Sequence, residues 1–549
     1  MKSTYVFLLL FIIKISTVNG QSLTSSNLPI IKINTNGNTI YDEPKILADL
    51  EIIYNGIDKT NNVTDKANVY AGKVGIEYRG STSQDLFPKK PYGMELWVDS
   101  TQKSRKVGLL GMPDESDWVL NATYNDKTLM RDVLSYDLAN RMGRYATRTR
   151  YCELMLNNQY DGLYILMEKI KKDKNRVDIS TLKVTDNTGD DVTGGYILKI
   201  DKTEGSKARS WNTTVPDGLQ KFTIPIQIDY PKLADITEAQ FNYIKNYVTE
   251  FETSILSTDF KNSKAKWRDL VDLDTFVDYF LITEFTKNVD GYRLSTYFYK
   301  DKDSKGGKLK MGPAWDYNLA FGNAYYHEGY LTSGWQYKIN DLAILAKDTY
   351  FLAPNWWGQL AQDSTFRYRA SKRWATLRTT VFSTARINNW LDSTANVLQP
   401  AMIRNNNRWT GVLGKNIWPN YYVGATYQDE LNWMKEWIRQ RSIWLDGQLK
   451  IFGSPLANEQ EITKESPLRV FPNPSESETV LEYDVLKKGK VKISIYDLGG
   501  RLIGVLSDEE KSVKTYQIKF NSENLQIGTY IIDYQLDENP VERIKMIKK

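Results

Sequence analysis

The chain has 549 residues, a net charge of +5 at neutral pH and a high aromatic content, with 15 Trp and 35 Tyr. That length suits a large core plus an appended domain, and the aromatic wealth excludes a chain that stays disordered. Basic and acidic residues are interspersed, unlike the one-sided basic face of a nucleic-acid binder, so no nucleic-acid partner is expected.

The N-terminus reads MKSTYVFLLLFIIKISTVNGQ: a basic start, an apolar run from Val6 to Ile13 and a small residue near Gly20. This is the pattern of a secretory signal peptide over residues 1–21, and its apolar run is too short to remain as a membrane span. No later segment is apolar for long enough, so the mature chain is expected to be exported with no transmembrane helix. Cys152 is the one cysteine, which excludes an intramolecular disulfide. In TRYCELMLN it alternates with Leu154 and Leu156 and reads as a core thiol. His327, the one histidine, excludes multi-histidine metal sites and reads as part of a surface loop, YYHEGY.

Residues 28–456 mix strands and helices. KVGIEYRG and PYGMELWVD alternate and read as a hairpin across STSQDLFPKK. DKTLMRDVLSYDLANRMG places Leu129, Val133, Leu134, Leu138 and Met142 at helical spacing and stops at Gly143. TRYCELMLN and YDGLYILMEKI form a second hairpin. TFVDYFLITEFTKN reads as an apolar helix leading into VDGYR, and STYFYK with KLKMGPAWDY forms a third hairpin turning at DKDSKGG. Helices then dominate to about Ile451, the last carrying Trp433, Trp437 and Trp444 toward the core. GSPLANEQEITKESPLRVFPNP breaks the pattern, and residues 457–468 are assigned as a linker. Beyond it, alternating stretches about ten residues apart predict a small antiparallel β-sandwich over residues 469–549.

The tail motifs VFPNPS, ISIYDLGGRLI and LQIGTYIIDYQ, with a basic final strand, resemble the C-terminal sorting domain (type A) of the type IX secretion system. The resemblance implies the type IX machinery as a partner and a secreted or outer-membrane-surface location.

Within the large domain the order is hairpin, helix, hairpin, connector, helix, acidic loop, short hairpin, second acid. That is the layout of a protein-kinase-like fold, and phosphoryl transfer needs a cation for the phosphates, an acid for the attacking hydroxyl and a second acid for Mg²⁺. Asp290 in KNVDGYR stands before the third hairpin, where a catalytic acid would stand. Asp316 in WDYN follows it, where a metal ligand would stand, and Trp315 is placed to cover a nucleotide base. Lys90 in FPKKPY and Arg79 in RGSTS are the phosphate-binding candidates, and Glu168 ends the strand leading toward a hinge. Each has a plain alternative: a turn aspartate, a solvated lysine pair, a hairpin turn.

The stretches RGSTSQDLFPKKPY, WVLNATYNDKTLMRDVLSYDLANRMG, LNNQYDGLYILMEKIKKDKNRVDI, GGYILKIDK, KNVDGYRLSTYFYKDKD and KMGPAWDYNLAFGN resemble the spore-coat protein H (CotH) kinase-like family. The resemblance implies an α+β fold: an atypical two-lobed kinase-like domain followed by the sandwich. It also implies ATP with Mg²⁺ or Mn²⁺ as cofactors and a protein substrate outside the cell. By motif position it implies Asp290 as catalytic acid, Asp316 as metal ligand and Trp315 as an adenine contact. Departures from ordinary kinases remain: no Gly-rich loop precedes Lys90, and Ser295 replaces the second metal-binding asparagine. Asn288 or Asn318 stands in for it, with Asn318 favoured. Asp126, Asp132 and Glu168 are the candidates to pair with the lysine. Two other functions fit the same sequence: a non-catalytic surface or adhesion protein keeping the fold, and a hydrolase working with two carboxylates.

Overall fold

Period-two alternation builds the first third of the chain. In strands β1 (Ile30–Asn34), β2 (Ile46–Ile53), β3 (Tyr70–Tyr78), β4 (Tyr92–Trp97) and β5 (Asp117–Asn121), every second residue turns inward. Strands β6 (Thr149–Leu156) and β7 (Gln159–Glu168) complete a closed barrel in the order β1-β2-β3-β4-β5-β7-β6. Antiparallel pairs make all the seams except the closing one, where β1 runs parallel to β6 with Ile30 opposite Glu153. Leu50, Val74, Leu96, Trp118, Leu154 and Tyr164 share the barrel interior. The alternate residues of β5 and β7, Val119, Ile165 and Met167, face outward into a second, larger core. Helix α1 (Arg131–Arg141) fills that outer face with Val133, Leu134 and Leu138, and Gly143 follows its end at φ +86°.

The computed structural model describes residues 22–203, 208–213, 224–453, 467–485 and 487–549. The expected signal peptide and most of the expected linker lie outside them. Beyond the barrel, a five-stranded sheet runs in the order β9 (Ser210–Asn212), β10 (Pro225–Tyr230), β8 (Tyr196–Ile200), β11 (Thr296–Lys300), β12 (Leu309–Met311). Helices α2 (Glu238–Ile255), α3 (Leu273–Thr286), α4 (Ser364–Thr379), α5 (Thr384–Arg408) and α6 (Tyr427–Gly453) complete the unit: α3 packs on β12, α4 and α6 pack on α3, and α5 packs on strand β7 of the barrel. A capping box at Thr237 and Gln240 starts α2. Every residue of α3 from Thr275 to Thr286 is buried, as expected of a helix apolar on all sides. On α6, Leu431, Met434, Trp437, Ile438 and Leu445 form the buried stripe.

Two units divide between Gly453 and Ser454. In the second, β13 (Leu468–Phe471), β14 (Glu478–Val485) and β17 (Lys514–Asn521) form one antiparallel sheet. Strands β16 (Leu502–Lys511), β15 (Gly489–Asp497), β18 (Gly528–Leu536) and β19 (Asn539–Lys548) form the other, in that order. Leu481, Val491, Ile493, Ile532 and Met546 make their shared core. Leu468, assigned to the linker on composition, is instead a strand residue with its side chain in that core. No helix among the described residues is long and apolar enough to cross a membrane.

Candidate active site

The short hairpin of β11 and β12 brings two acids together. α3 stops at Lys287, whose φ of 47° turns the chain sharply, and Asp290 follows three residues later. At the far end of β12 the chain reaches Asp316, also left-handed at φ 62°. Ser295, at the start of β11, is left-handed too, at φ 48°. Non-glycine residues held in this region are strained, and such strain gathers at sites that must hold a fixed geometry. Asn288 ties the two acid loops together: its Nδ2 donates to the Asp316 carbonyl at 2.9 Å, and its Oδ1 accepts the Asp290 N–H at 3.3 Å.

Helix α1 braces the same loop from the barrel side. The Tyr317 N–H donates to Oδ1 of Asp132 at 2.7 Å, and the Asp316 N–H to the Tyr136 hydroxyl at 3.0 Å. Tyr136 in turn donates to Asp132, and Asn121 of β5 donates to the other Asp132 oxygen at 2.9 Å. Asp132 belongs to this brace and meets no lysine. Burial pushes its carboxyl up to about 6.

The Asp316 side chain is exposed, with protein groups packed around it. That enclosure pushes its carboxyl up to about 7, and the charges of Asp132, Asp290 and Asp201 push the same way against Arg79. Three other carboxylates therefore lie near enough to repel the charge on Asp316. Among the described residues no hydrogen-bond donor meets the Asp316 carboxylate, and no set of three His, Cys, Asp or Glu is arranged to hold a metal by itself. Asp290 is different: its Oδ1 accepts from Nε and Nη2 of Arg293 at 3.2 and 3.1 Å. Arg293, buried, also reaches the Phe351 carbonyl and Asp348, and Nε2 of His327 lies 2.7 Å from Asp348. The expected surface loop is thus wrong for His327. Its side chain is buried in the shell that holds Arg293 against Asp290, because the apolar neighbours Tyr326 and Val289 pack the loop inward.

Positive charge borders the acids. Arg79 stands next to Asp316 with its guanidinium 5.4 Å from the Trp315 ring. Lys169, directly after β7, is solvent-accessible yet closely surrounded. Its pKa is held below the usual lysine value by that enclosure, with Asp117 opposing and Arg79, Lys232 and Lys45 adding repulsion. Reading the sequence missed Lys169; the local signal is a lysine directly after a strand whose second half, Leu163–Met167, is apolar.

The remaining expected residues are placed as follows. Trp315 stacks on Tyr136 at 6.3 Å and lies between it and Arg79, so it packs on α1. Lys90 donates to the Gln84 carbonyl within its own loop. Its neighbour Lys89 is buried, donating to the Leu163 carbonyl and to Asn405 of α5. Asn318 points its amide at Asn125, 3.4 Å away, whereas Asn288 bridges the acids. Glu168 has no exposed surface: Arg148 and the Tyr145 hydroxyl bind it, with Arg176 at 3.6 Å. Its role as a cofactor contact is therefore corrected, since a buried carboxylate must be paired and this one is paired internally. Asp126 is likewise closed, bound to Arg131 at 2.6 Å.

The mixed α/β unit brings the Asp290 and Asp316 loops together beside a short hairpin. The chain belongs to the CotH kinase protein family, which matches residues 76–445, and carries a secretion system C-terminal sorting domain over residues 469–549. It is 24% identical over 298 residues to inner spore coat protein H of Bacillus subtilis (strain 168), covering 54% of this chain and 70% of that protein. Among solved structures, the Pseudomonas fluorescens alkylpurine DNA glycosylase AlkC bound to DNA containing an abasic site analog is similar at 10% identity. It covers 39% of this chain and 69% of that one, with a TM-score of 0.11, too low to carry an argument. The sorting domain directs the chain through type IX secretion to the cell surface or beyond.

Proposed function

We propose that the chain is a secreted atypical protein kinase that moves the γ-phosphate of ATP to Ser or Thr of extracellular or surface proteins. The observation that carries the reading is Asp316: a strained, accessible carboxylate with no donor on it, crowded by Asp132, Asp290 and Asp201. Like charges brought together in this way favour uptake of a proton or of a cation. Mg²⁺ fits, because it takes one or two carboxylates and completes its shell with water and phosphate oxygens, without an all-protein cage. Asp316 would hold it, with Asn288 fixing the loop; bound there, the ion neutralises charge on the transferred phosphoryl group. Arg79 and Lys169 lie where phosphates next to that ion would meet positive charge. Asp290, held by Arg293 through Oδ1, keeps Oδ2 for the acceptor hydroxyl, and the hydroxyl's proton passes to that carboxylate as the oxygen attacks. On this reading the barrel with α1 would act as one lobe and the sheet with α2, α3, α4 and α6 as the other.

The test is transfer of label from γ-labelled ATP, with Mg²⁺ or Mn²⁺, to co-secreted proteins and generic acceptors. Wild-type protein should label an acceptor and Asp290→Asn should not. Equal labelling by both, or none by either across both metals, rejects the reading. One observation favours a non-catalytic surface protein instead: Arg293 already neutralises Asp290. That alternative expects no metal-dependent stabilisation by ATP, since only ligands of the native state raise stability.

A further inference from the structure

The chain is exported with a single cysteine, so no disulfide within it can staple the fold. One buried amine outside the acid site is placed to make a different covalent tie. Lys89, just before β4, is 2% exposed, and Asn405 of α5, 316 positions away, is 5% exposed. Nζ of Lys89 donates to the Leu163 carbonyl and, at 3.0 Å, to Oδ1 of Asn405. Both acceptors are neutral, and among the described residues no carboxylate forms an ion pair with this lysine. Burying an unpaired ammonium is costly, which favours the free amine, a nucleophile. In keeping with that, burial brings its pKa down to about 7.

The electrophile is held as well. Oδ1 of Asn405 also accepts the Leu163 N–H at 3.1 Å, so a fixed donor from β7 polarises the carboxamide. Gly162, the residue before, has φ +118°, and a Cβ built there would stand 2.7 Å from that oxygen and 3.3 Å from Cε of Lys89. Glycine is what lets β7 bring the two side chains this close. Asp161 precedes it on β7, with its Oδ2 accepting from the Tyr164 hydroxyl at 2.7 Å. Burial raises the Asp161 carboxyl toward its protonated form, and its charge reaches Lys89.

We propose that Lys89 and Asn405 condense into an intramolecular amide that fastens α5 to the barrel. The Nζ lone pair attacks Cγ of Asn405 while the Leu163 N–H holds the oxygen on which negative charge develops. Asp161 gives a proton to Nδ2 and receives one from Nζ as the Cγ–Nδ2 bond breaks. One amide forms and one ammonia leaves, with no oxidant or further reactant. Cross-links between residues far apart restrict the unfolded chain most, and this one spans 316 positions. Condensation also removes the charge at Lys89. Asp290 and Asp316 take no part, so the bond forms whether or not the chain transfers phosphate.

The full chain is incubated at mildly alkaline pH, denatured, digested with trypsin and analysed by mass spectrometry. Wild type should yield a branched peptide joining the segments that carry Lys89 and Asn405, lighter than their sum by one ammonia. Lys89→Met and Asn405→Ala should give linear peptides only. Asp161→Asn should slow formation of the branched peptide about 10²-fold, the lower end for loss of an acid–base group. The deciding measurement is made on wild-type chain, so a folding defect in a variant does not obscure it. Linear peptides alone from wild type overturn the bond. A branched peptide through any other residue overturns the assigned pair, and undiminished formation in Asp161→Asn overturns the part given to Asp161.

Discussion

Glu284, near the end of α3, has no exposed surface, and both carboxylate oxygens are met. The N–H groups of Gln336 and Tyr337 donate at 2.8 Å each, the Tyr292 hydroxyl donates at 3.1 Å, and Arg441 pairs with it from α6 at 3.3 Å. Arg441 spends its other donors on the Glu284, Thr332 and Gly334 carbonyls. Asp316 is exposed by contrast: its backbone is fixed by Tyr136 and Asn288, while Asp132, Asp290 and Asp201 repel its carboxylate and Arg79 offsets them in part. The first arrangement is complete within the protein and holds α3 to α6. The second is rigid in its backbone and incomplete in its charge, which is what a site built for a cation requires. Exposure and the lack of a hydrogen-bond donor on the carboxylate together set Asp316 apart from Glu284.

That contrast can be broken in graded ways. The largest effect is expected at Asp290. Asp290→Asn should lower phosphoryl transfer by about 10²–10⁴-fold, the range for losing a general base. The unfolding midpoint should change little; a large loss of stability instead would make Asp290 a partner of the Glu284 kind. Arg441→Met comes next. It strands Glu284 without its counter-charge, and urea unfolding should show a loss of about 3–5 kcal/mol. A neutral result would mean the pair is not what holds α3 to α6. Asn288→Ala removes both ties between the acid loops, leaving the Asp316 carbonyl and the Asp290 N–H unmet. A cost of about 1–3 kcal/mol is expected, together with a fall in kcat exceeding any change in acceptor KM, as steady-state kinetics would resolve.

The smallest effect concerns Lys89 with its amine free, a buried lysine between the Leu163 carbonyl and Asn405 of α5. Burial lowers its pKa from 10.5 to about 7. Between those values the unfolded chain keeps a proton that the folded chain has released, so this lysine makes stability rise as pH increases through that window. Lys89→Met should flatten the slope of stability against pH between 7 and 10. A slope identical to wild type would show that Lys89 stays charged inside the fold.

Much of this was legible before folding and some was not, for physical reasons. The three hairpins, α1, α3 and the strands of the second unit carry their periods within one short segment, so local pattern sufficed. Closure of the barrel did not, because β1 meets β6 across more than a hundred residues in a parallel register that no turn encodes. Asp290 and Asp316 could be singled out because a short hairpin separates them. Which neighbours serve them depends on distant segments: Asp132 and Tyr136 come from α1, Arg79 from β3's end, His327 from a loop folded inward. Lys90 and Glu168 looked suitable by position, yet one donates back to its own loop and the other is consumed by Arg148 and Arg176. Side-chain partners, unlike strand period, are decided by tertiary packing.

The most direct test of the account is metal binding at Asp316 in the presence of nucleotide. Mn²⁺ is titrated into the full chain with a non-hydrolysable ATP analogue and followed by electron paramagnetic resonance, for wild type and Asp316→Asn. The account predicts saturable, nucleotide-dependent Mn²⁺ binding in wild type and its loss in Asp316→Asn. Equal binding by the two proteins, or none by either, would contradict it.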